Sequence, residues 1–261
     1  MSIAPLAYIT GASSGIGQAL AQRYLRAGWR VALVARRGAE LQAWARAQGA
    51  AAERVRVFVA DVRDADAVVR AGRDCCAQFG VPDVVVANAG ISIGIDTTDY
   101  EDLEVLRATL ETNNLGLVAT FHPFLAPMRE RGSGRLVGIA SVAGIRGLPG
   151  HGAYCASKAA VISYCETLRI ECRGSGVQVV TILPGYVDTP LTRGNRYAMP
   201  FLLTPDAFAA RAIRAIDAGD SYRVIPWQMG VVAKLLRLLP NAVFDRVFAG
   251  RGRKRRRHER V

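Results

Sequence analysis

The sequence predicts an α/β fold in which a doubly wound parallel sheet is covered by helices on both faces, giving three layers in a single domain. Short apolar runs alternate with longer segments whose apolar residues recur at helical spacing, which is the pattern of repeated strand–helix units. Hydrophobic residues make up 51% of the chain and aromatic residues only 7%, a balance that favours helices packed closely on buried strands. A length of 261 residues suits one domain with a large core.

The first strand–helix unit contains a glycine-rich turn. An apolar run over 6–10 predicts a strand, and apolar residues recur at helical spacing over 16–27. The turn between them has glycines that permit positive φ and let backbone N–H groups approach a ligand at a helix N-terminus. We therefore predict a pyrophosphate site here. Its candidate residues are Gly11, Ser13, Ser14, Gly15, Ile16 and Gly17.

The second predicted strand, 30–35, ends at Arg36 and Arg37, where a dinucleotide-binding fold holds the adenosine ribose. An acidic residue at this point would bind a free 2′-hydroxyl, whereas arginine suits a 2′-phosphate. The sequence therefore predicts a preference for NADP(H), with NAD(H) as the alternative. If the two arginines are only solvated charges that open the next helix, this preference does not follow.

Polar residues also follow the third and fourth predicted strands. The elements after Arg37 are a helix over 39–48, a strand over 55–60, a helix over 65–78 and a strand over 84–87. Ligands of such sheets bind at the carboxyl ends of the strands. Asp61-Val62 and Asn88-Ala89-Gly90 lie at these ends and are therefore candidate cofactor contacts. Asp61 could accept a hydrogen bond from an adenine amine, or it could cap the next helix.

A long helical region, about 100–128, contains Asn113 and Asn114 among apolar residues. Asparagine is a poor helix former because its side chain competes for backbone hydrogen bonds, so we expect a local kink at this pair. The fifth predicted strand, 134–140, follows this region and ends at Ser141.

The last part of the predicted sheet contains a long loop. The sixth strand, 177–183, is closed by Pro184-Gly185, and the loop over 186–204 is long enough to be a lid. A helix over 205–218 and a short strand near 222–225 complete the sheet.

Tyr154 and Lys158 lie one helical turn apart and therefore share a helix face. A neighbouring ammonium favours the phenolate, so it is expected to lower the pKa of the phenol from its ordinary value of about 10. Taken alone, the two residues could be an ordinary surface pair. We interpret His151, three residues earlier, as a loop residue rather than a substrate contact.

These motifs together resemble the short-chain dehydrogenase/reductase family, in its form with a single Rossmann-type domain. The resemblance covers roughly residues 6–225. The matching motifs, in order, are Thr10-Gly-Ala-Ser-Ser-Gly-Ile-Gly17, Asp61-Val62, Asn88-Ala-Gly90, Asn113 with Gly116, Ser141, Tyr154 with Lys158, and Pro184-Gly185 with Thr189. Any one of these motifs is weak on its own, but chance agreement at all of them is implausible.

The resemblance implies hydride transfer between a nicotinamide and a carbonyl or alcohol carbon. Tyr154 would be the general acid/base, and Ser141 would donate a hydrogen bond to the carbonyl oxygen. Lys158 would lower the pKa of Tyr154 and bond the nicotinamide ribose, while Asn113 would anchor a proton-relaying water. Asn113 is preferred to Asn114 because Gly116 follows it at the family's spacing. The cofactor contacts that the resemblance adds are Tyr154, Lys158, Pro184, Gly185, Val187 and Thr189.

Two other function classes fit parts of the pattern. The segment Gly11-Ala-Ser-Ser-Gly15 formally matches the nucleophile elbow of serine hydrolases, but no strand precedes it to supply an oxyanion-hole loop. A non-catalytic NADP-binding sensor or scaffold would keep the fold without turnover, and the complete catalytic set argues against it.

Beyond the predicted NAD(P)-binding domain, 1–225, residues 226–249 form an amphipathic helical extension. Its apolar residues recur at helical spacing, and Lys234 and Arg237 share the other face. The run falls short of the ~20 apolar residues that a membrane span needs. The helices could rest on an anionic membrane surface and admit a lipophilic substrate, or they could cover the substrate pocket or a dimer partner.

Residues 250–261 are strongly basic, with seven Lys or Arg residues and one Glu in a chain whose net charge is +12. A block of like charge is usually a disordered interaction arm, so we expect a disordered tail that assists membrane contact. No aromatic residues are interleaved with the basic ones, so no specific nucleic-acid partner is expected.

Other features limit the function classes further. The five cysteines show no paired metal-ligand spacing, so we expect reduced thiols and no metal site. The first residues lack the pattern of a secretion signal, and we expect a cytoplasmic protein, with peripheral attachment to the inner face of a membrane as an option. Apolar residues over 199–203 of the lid favour a hydrophobic substrate. The family resemblance also implies that the protein forms a homodimer or a homotetramer.

Overall fold

The computed structural model of the protein describes residues 3–49, 51–195, 197–250 and 252–259. The strands are β1 (Leu6–Thr10), β2 (Arg30–Ala35), β3 (Val55–Val59), β4 (Val84–Ala87), β5 (Gly134–Ile139), β6 (Val177–Pro184) and β7 (Tyr222–Ile225). They form one sheet in the order β3-β2-β1-β4-β5-β6-β7, and every registered pair is parallel. The predicted α/β fold with its doubly wound parallel sheet is confirmed.

Helices cover both faces of this sheet. They are α1 (Gly15–Arg26), α2 (Gly38–Ala47), α3 (Ala65–Phe79), α4 (Asp102–Leu110), α5 (Gly116–Arg131), α6 (Gly152–Glu171), α7 (Pro205–Asp217), α8 (Trp227–Leu238) and α9 (Asn241–Phe248). Side chains of β1 alternate between two cores: Leu6 and Tyr8 pack with α3, α5 and α6, whereas Ala7 and Ile9 pack with α1, α2 and α7. Each fully buried aliphatic or aromatic side chain contributes about 1.5–3 kcal/mol, so both layers are held firmly on the sheet.

The order of the strands creates the crevice at which a ligand can bind. From β1 the chain moves outward through β2 and β3, and then returns to place β4 on the other side of β1. The loops that leave β1 and β4 therefore diverge at their carboxyl ends, and the space between them is the place where this class of sheet binds ligands.

The kink expected at Asn113 and Asn114 is a π-helical turn, Glu111–Leu115, between α4 and α5. Such turns insert an extra residue into a helix and are frequent at functional sites. Here the turn directs Asn113 into the protein, where its side chain is buried.

The C-terminal helices pack on loops beside the crevice. The inner face of α8 buries Met229, Gly230 and Ala233, and the helix contacts β7 and the turn that follows Ser141. Arg146 donates hydrogen bonds to backbone carbonyls at the end of α8 and lies 3.8 Å above the ring centroid of Phe244 in α9. The extension therefore packs on this side of the protein, and its role in covering a substrate pocket or a dimer partner stays a prediction.

The structure differs from the expectation of a disordered basic tail. Lys254 is buried, and Arg253 and Arg256 form ion pairs with acidic residues of the segment 96–102. The prediction of disorder rested on the run of like charges in the tail. The carboxylates that pair with these arginines lie more than 150 residues away along the chain, so the sequence did not show them as partners. The tail residues Arg251 and 260–261 lie outside the described residues.

Among the described helices, none combines the length and apolar character needed to cross a bilayer. All five cysteines are free thiols, and four of them are buried. Within the ranges given above, no group of three or more His, Cys, Asp or Glu side chains could hold a metal ion.

Candidate active site

A cleft of about 330 Å³ lies at the carboxyl edge of the sheet, where the loops after the six strands β1 to β6 meet. The predicted cofactor residues that line it are Gly11, Ser13, Ser14, Gly15, Ile16, Arg36, Arg37, Asp61, Val62, Asn88, Ala89, Gly90, Tyr154, Lys158, Pro184, Gly185, Val187 and Thr189. The structure therefore brings together residues that are spread over most of the chain.

Gly17 is absent from this lining, but it packs against the glycine-rich turn. A Cβ atom at Gly17 would collide with the carbonyl oxygen of Gly11 and would lie 2.6 Å from Nδ2 of Asn88. Gly11 itself has φ +65°, and its missing side chain leaves room for the backbone of Ala89. Glycine at both positions lets α1 approach the first loop closely, which shapes the turn that the sequence predicts as a pyrophosphate site.

Asn88 ties the end of β4 to the end of β1. Its side chain donates to the carbonyl oxygens of Thr10 at 3.0 Å and Gly11 at 3.3 Å, and its backbone N–H donates to Oγ1 of Thr10 at 3.1 Å. The amide of Asn88 therefore fixes the shape of the glycine-rich turn. Thr10 accepts two of these bonds, one through its carbonyl oxygen and one through its hydroxyl oxygen.

Arginines surround the end of β2. Nη2 of Arg37 donates to Oγ of Ser13 at 3.1 Å, and Nη1 of Arg36 lies 3.8 Å from Asp61. Sequence reasoning missed Arg63, which donates to Asp61 through both its backbone and its guanidinium. Burial opposes the charge of Asp61, but the hydrogen bonds from Arg63 and the charges of Arg63 and Arg36 outweigh it and lower the pKa of the carboxyl.

Tyr154 lies in the first turn of α6, and Lys158 follows one turn later on the same face. Lys158 is only 4% exposed; its Nζ donates to the carbonyl oxygen of Ile139 at 2.7 Å and lies 5.8 Å from the Tyr154 ring centroid. Ile139 is the last residue of β5, so the ammonium is anchored to the end of a central strand. The expected pair of phenol and ammonium is therefore present at the edge of the cleft.

The pKa values of this pair differ from the sequence expectation. Burial raises the pKa of Tyr154 to about 12, and a hydrogen bond with Ser141 lowers it only in part. Burial also lowers the pKa of Lys158 to about 8, because it disfavours the ammonium. Desolvation, which the sequence could not reveal, thus exceeds the expected effect of Lys158 on the phenol. Tyr154 is protonated at neutral pH.

Ser141 lies at the end of β5 and is buried beside Tyr154. Its hydroxyl oxygen accepts from the backbone N–H of Ala143 at 3.1 Å, which caps the short turn Val142–Gly144. The cap holds the hydroxyl in a defined direction.

Asn113 joins the loop after β4 to α6. Its amide donates to the carbonyl oxygen of Ile91 at 3.0 Å and to Oγ of Ser157 at 2.9 Å, and its Oδ1 accepts from the backbone N–H of Ile91 at 2.8 Å. Ser157 in turn donates to the carbonyl oxygen of Tyr154. Because both amide hydrogens are used, the side chain of Asn113 positions these elements, and its role in holding a water stays a prediction.

His151 is a buried loop residue that connects α6 to the lid. Its Nδ1 donates to the carbonyl oxygen of Pro149 at 2.9 Å, so its Nε2 accepts from the hydroxyl of Tyr197 at 3.1 Å. Burial and the charge of Lys254 lower the pKa of His151, which favours this neutral form. Sequence reasoning missed Tyr197, because nothing in the lid sequence indicates its partner.

The geometry gives no support to the serine-hydrolase alternative. An elbow serine at position 13 would need a histidine base, yet the hydroxyl of Ser13 accepts from Arg37. His151 is engaged with Pro149 and Tyr197 instead.

Known proteins resemble the chain over most of its length. Residues 5–199 match the family model described as short chain dehydrogenase. An uncharacterized oxidoreductase of Myxococcus xanthus is 43% identical over 242 residues, which cover 92% of this chain and 94% of that protein. A crystal structure of a short-chain dehydrogenase from Streptomyces avermitilis has a TM-score of 0.78 at 27% identity and covers 95% of both chains. An alcohol dehydrogenase from the archaeon Thermococcus sibiricus, complexed with 5-hydroxy-NADP, has a TM-score of 0.75 at 30% identity and covers 85% of this chain and 96% of that one.

Proposed function

The chain belongs to the short-chain dehydrogenase family, and on that premise we propose that it is an NADP(H)-dependent oxidoreductase that interconverts a carbonyl and an alcohol on a hydrophobic substrate. The family establishes an oxidoreductase that uses a nicotinamide cofactor and acts on CH–OH or C=O groups. The observation that carries the proposal is the convergence of Ser141, Tyr154 and Lys158 beside a cleft that also reaches Arg36 and Arg37.

In this proposal each residue has a distinct task. The nicotinamide, when bound, supplies or accepts the hydride. Tyr154, protonated at neutral pH, donates its proton to the carbonyl oxygen on which negative charge develops, and Ser141 donates a hydrogen bond to the same oxygen. Lys158, held by the carbonyl oxygen of Ile139, bonds the ribose and keeps a positive charge near the phenol.

The preference for NADP(H) is supported by the charge at the end of β2. Arg36 and Arg37 have exposed guanidinium groups, and Arg37 donates a hydrogen bond to Ser13 of the glycine-rich turn. Arginine pairs with phosphate through two parallel hydrogen bonds, which suits a 2′-phosphate and offers nothing comparable to a free 2′-hydroxyl. The alcohol dehydrogenase from Thermococcus sibiricus was solved with a modified NADP, which is consistent with this preference. NAD(H) is expected to bind more weakly.

A hydrophobic substrate is supported by aromatic rings next to Tyr154. Tyr186 and Tyr197 lie with ring centroids 6.2 Å apart, and His151 meets Tyr197 edge-on at 5.7 Å. Burial raises the pKa of Tyr197, and the neighbouring phenols of Tyr186 and Tyr154 raise it further. Rings of this kind favour an apolar substrate chain over a charged one.

We expect kcat/KM for saturated aldehydes and ketones to rise with chain length, by roughly fourfold per buried methylene, until the pocket is filled. NADPH consumption, followed at the absorbance band of the reduced nicotinamide across a graded panel, measures this dependence. Turnover that stays flat or falls with length would contradict a hydrophobic substrate while leaving the reaction class intact.

We also propose that the outer face of α8 contacts an anionic membrane surface. Trp227, Val231, Leu235 and Leu238 are exposed there, and Lys234 and Arg237 lie beside them. A helix with aromatic and aliphatic residues on one side and basic residues at its flank suits the membrane interface. Because Arg253 and Arg256 already pair with acidic residues, the tail contributes less to this attraction than its charge predicts.

Co-sedimentation with liposomes that contain anionic lipid tests this contact. We expect the wild type to bind and Leu235→Asp to reduce the bound fraction severalfold, since a carboxylate cannot enter the interface at low cost. Leu115→Asp is the matched control, because Leu115 and Leu235 are both 61% exposed and Leu115 lies in the π turn. Equal loss of binding in both variants, or no binding by the wild type, would contradict the proposal.

A further inference from the structure

The C-terminal residues 253–256, which we call the strap, run beside the loops that follow β4, β5 and β6. The carbonyl oxygen of Arg255 accepts from the backbone N–H of Gly94 at 2.9 Å. Arg253 pairs with Asp96 at 2.9 Å, and Arg256 pairs with Asp99 and Asp102. One short segment therefore makes backbone and side-chain bonds to the loop after β4.

Two glycines form the seat of the strap. A Cβ atom at Gly94 would collide with the carbonyl oxygen of Lys254, and a Cβ at Gly150 would lie 2.8 Å from the Cβ of Arg253. The carbonyl oxygen of Gly150 also accepts from the backbone N–H of Ile95, which joins the two loops beneath the strap. Only glycine leaves room for the chain to lie this close.

Lys254 connects the strap to the third loop, residues 187–195. Its side chain is 7% exposed, and Nζ donates to the carbonyl oxygen of Leu191 at 3.0 Å and to Oδ1 of Asn195 at 2.6 Å. Leu191 lines the cofactor cleft, and so does Thr189. A buried ammonium is costly unless it is hydrogen-bonded, so these two bonds fix the position of the loop relative to the strap.

We propose that Lys254 is a positioning residue that holds the loop 187–195 in the place where it lines the cofactor cleft, with the strap as its support. The strap contacts all three loops, and Lys254 supplies its side-chain bonds to the loop 187–195. The loop's internal bonds, such as those of Thr192 with Val187 and Thr189, set its shape but not its position against the rest of the protein. The effect on the cofactor rests on the proposed function; the effect on the loop does not.

Hydrogen–deuterium exchange of the protein without cofactor tests the loop directly. We expect Lys254→Met to speed amide exchange within 187–195 by about tenfold, because hydrogen bonds from a charged donor are lost without loss of the apolar stem. Lys254→Arg should restore most of the protection. Lys234→Met, an exposed lysine in α8, is the matched control and should leave the loop unchanged.

A second pair of variants tests the contribution of the glycine seat independently of Lys254. Gly94→Ala should displace the strap and speed exchange of the same loop, whereas Gly147→Ala should not, because no atom lies within 4 Å of its added Cβ. Unchanged exchange in both Lys254→Met and Gly94→Ala would overturn the proposal.

The cofactor effect is measured by titrating NADPH against tryptophan fluorescence, with an expected rise of about tenfold in Kd for Lys254→Met. Faster loop exchange with unchanged NADPH affinity would overturn the role of Lys254 in cofactor binding. Absence of NADPH binding by the wild type would contradict the proposed function instead, while the exchange result would still decide the role of Lys254 in the loop.

Discussion

Replacing Tyr154 with phenylalanine is expected to lower kcat for carbonyl reduction by about 10²-fold or more, since a positioned general acid contributes at least that factor. The phenol holds its proton at neutral pH, because burial raises its pKa to about 12. Phenylalanine keeps the ring and its packing but cannot donate that proton. Steady-state rates of NADPH oxidation with a reactive aldehyde measure the loss.

The same variant should bind NADPH nearly as well as the wild type, because the cleft is lined by residues from many loops. Tyr164→Phe is the matched control: the same change on the same helix, at a tyrosine that packs against the core beneath the sheet. It should keep near-normal turnover. Substantial activity in Tyr154→Phe, or equal losses in both variants, would remove Tyr154 from the proposed role.

The second large effect is expected at the adenosine end of the cleft. Replacing Arg36 and Arg37 together with alanine should lower the preference for NADPH over NADH by about 10²-fold, because each charge-assisted hydrogen bond to a phosphate contributes about 1.5–3 kcal/mol. NADH affinity should change little, since NADH lacks the 2′-phosphate that these arginines are proposed to bind. The ratio of the two kcat/KM values measures this preference.

Arg46→Ala provides the control for the arginine pair, because Arg46 is exposed in the last turn of α2 and is absent from the cleft. It tests whether loss of positive charge alone changes cofactor affinity through the general field of the protein. A preference that falls equally in this control, or one that persists in the double variant, would contradict the assignment of the arginines to a 2′-phosphate.

Much of the cleft could be predicted because its residues depend on local patterns. Parallel strands place their carboxyl ends at one edge, so a residue within two positions of a strand end, such as Asp61 or Asn88, is placed once the strand is recognised. Gly17 shows the limit of this reasoning. It belongs to the same motif as Gly11, but its role is to let a helix approach, which depends on contacts across the chain.

Features that depend on long-range contacts could not be predicted. The partners of Arg256 precede it by more than 150 residues, so the sequence showed only a run of like charge. The bond between His151 and Tyr197 likewise joins two loops whose proximity no local pattern encodes. The direction of the Tyr154 pKa shift could not be predicted for a related reason: the sequence shows the neighbouring ammonium but not the burial that raises the pKa.

Transfer of deuterium from cofactor to product is the most direct test of the proposed reaction. The purified protein is given NADPH that carries deuterium at both positions of the nicotinamide C4 and a medium-chain aldehyde, and the alcohol is analysed by mass spectrometry. We expect one deuterium on the carbinol carbon in the wild type, and about 10²-fold less alcohol with Tyr154→Phe. Alcohol without deuterium, or no alcohol from any aldehyde or ketone of the panel although NADPH binds, would contradict hydride transfer to a carbonyl carbon.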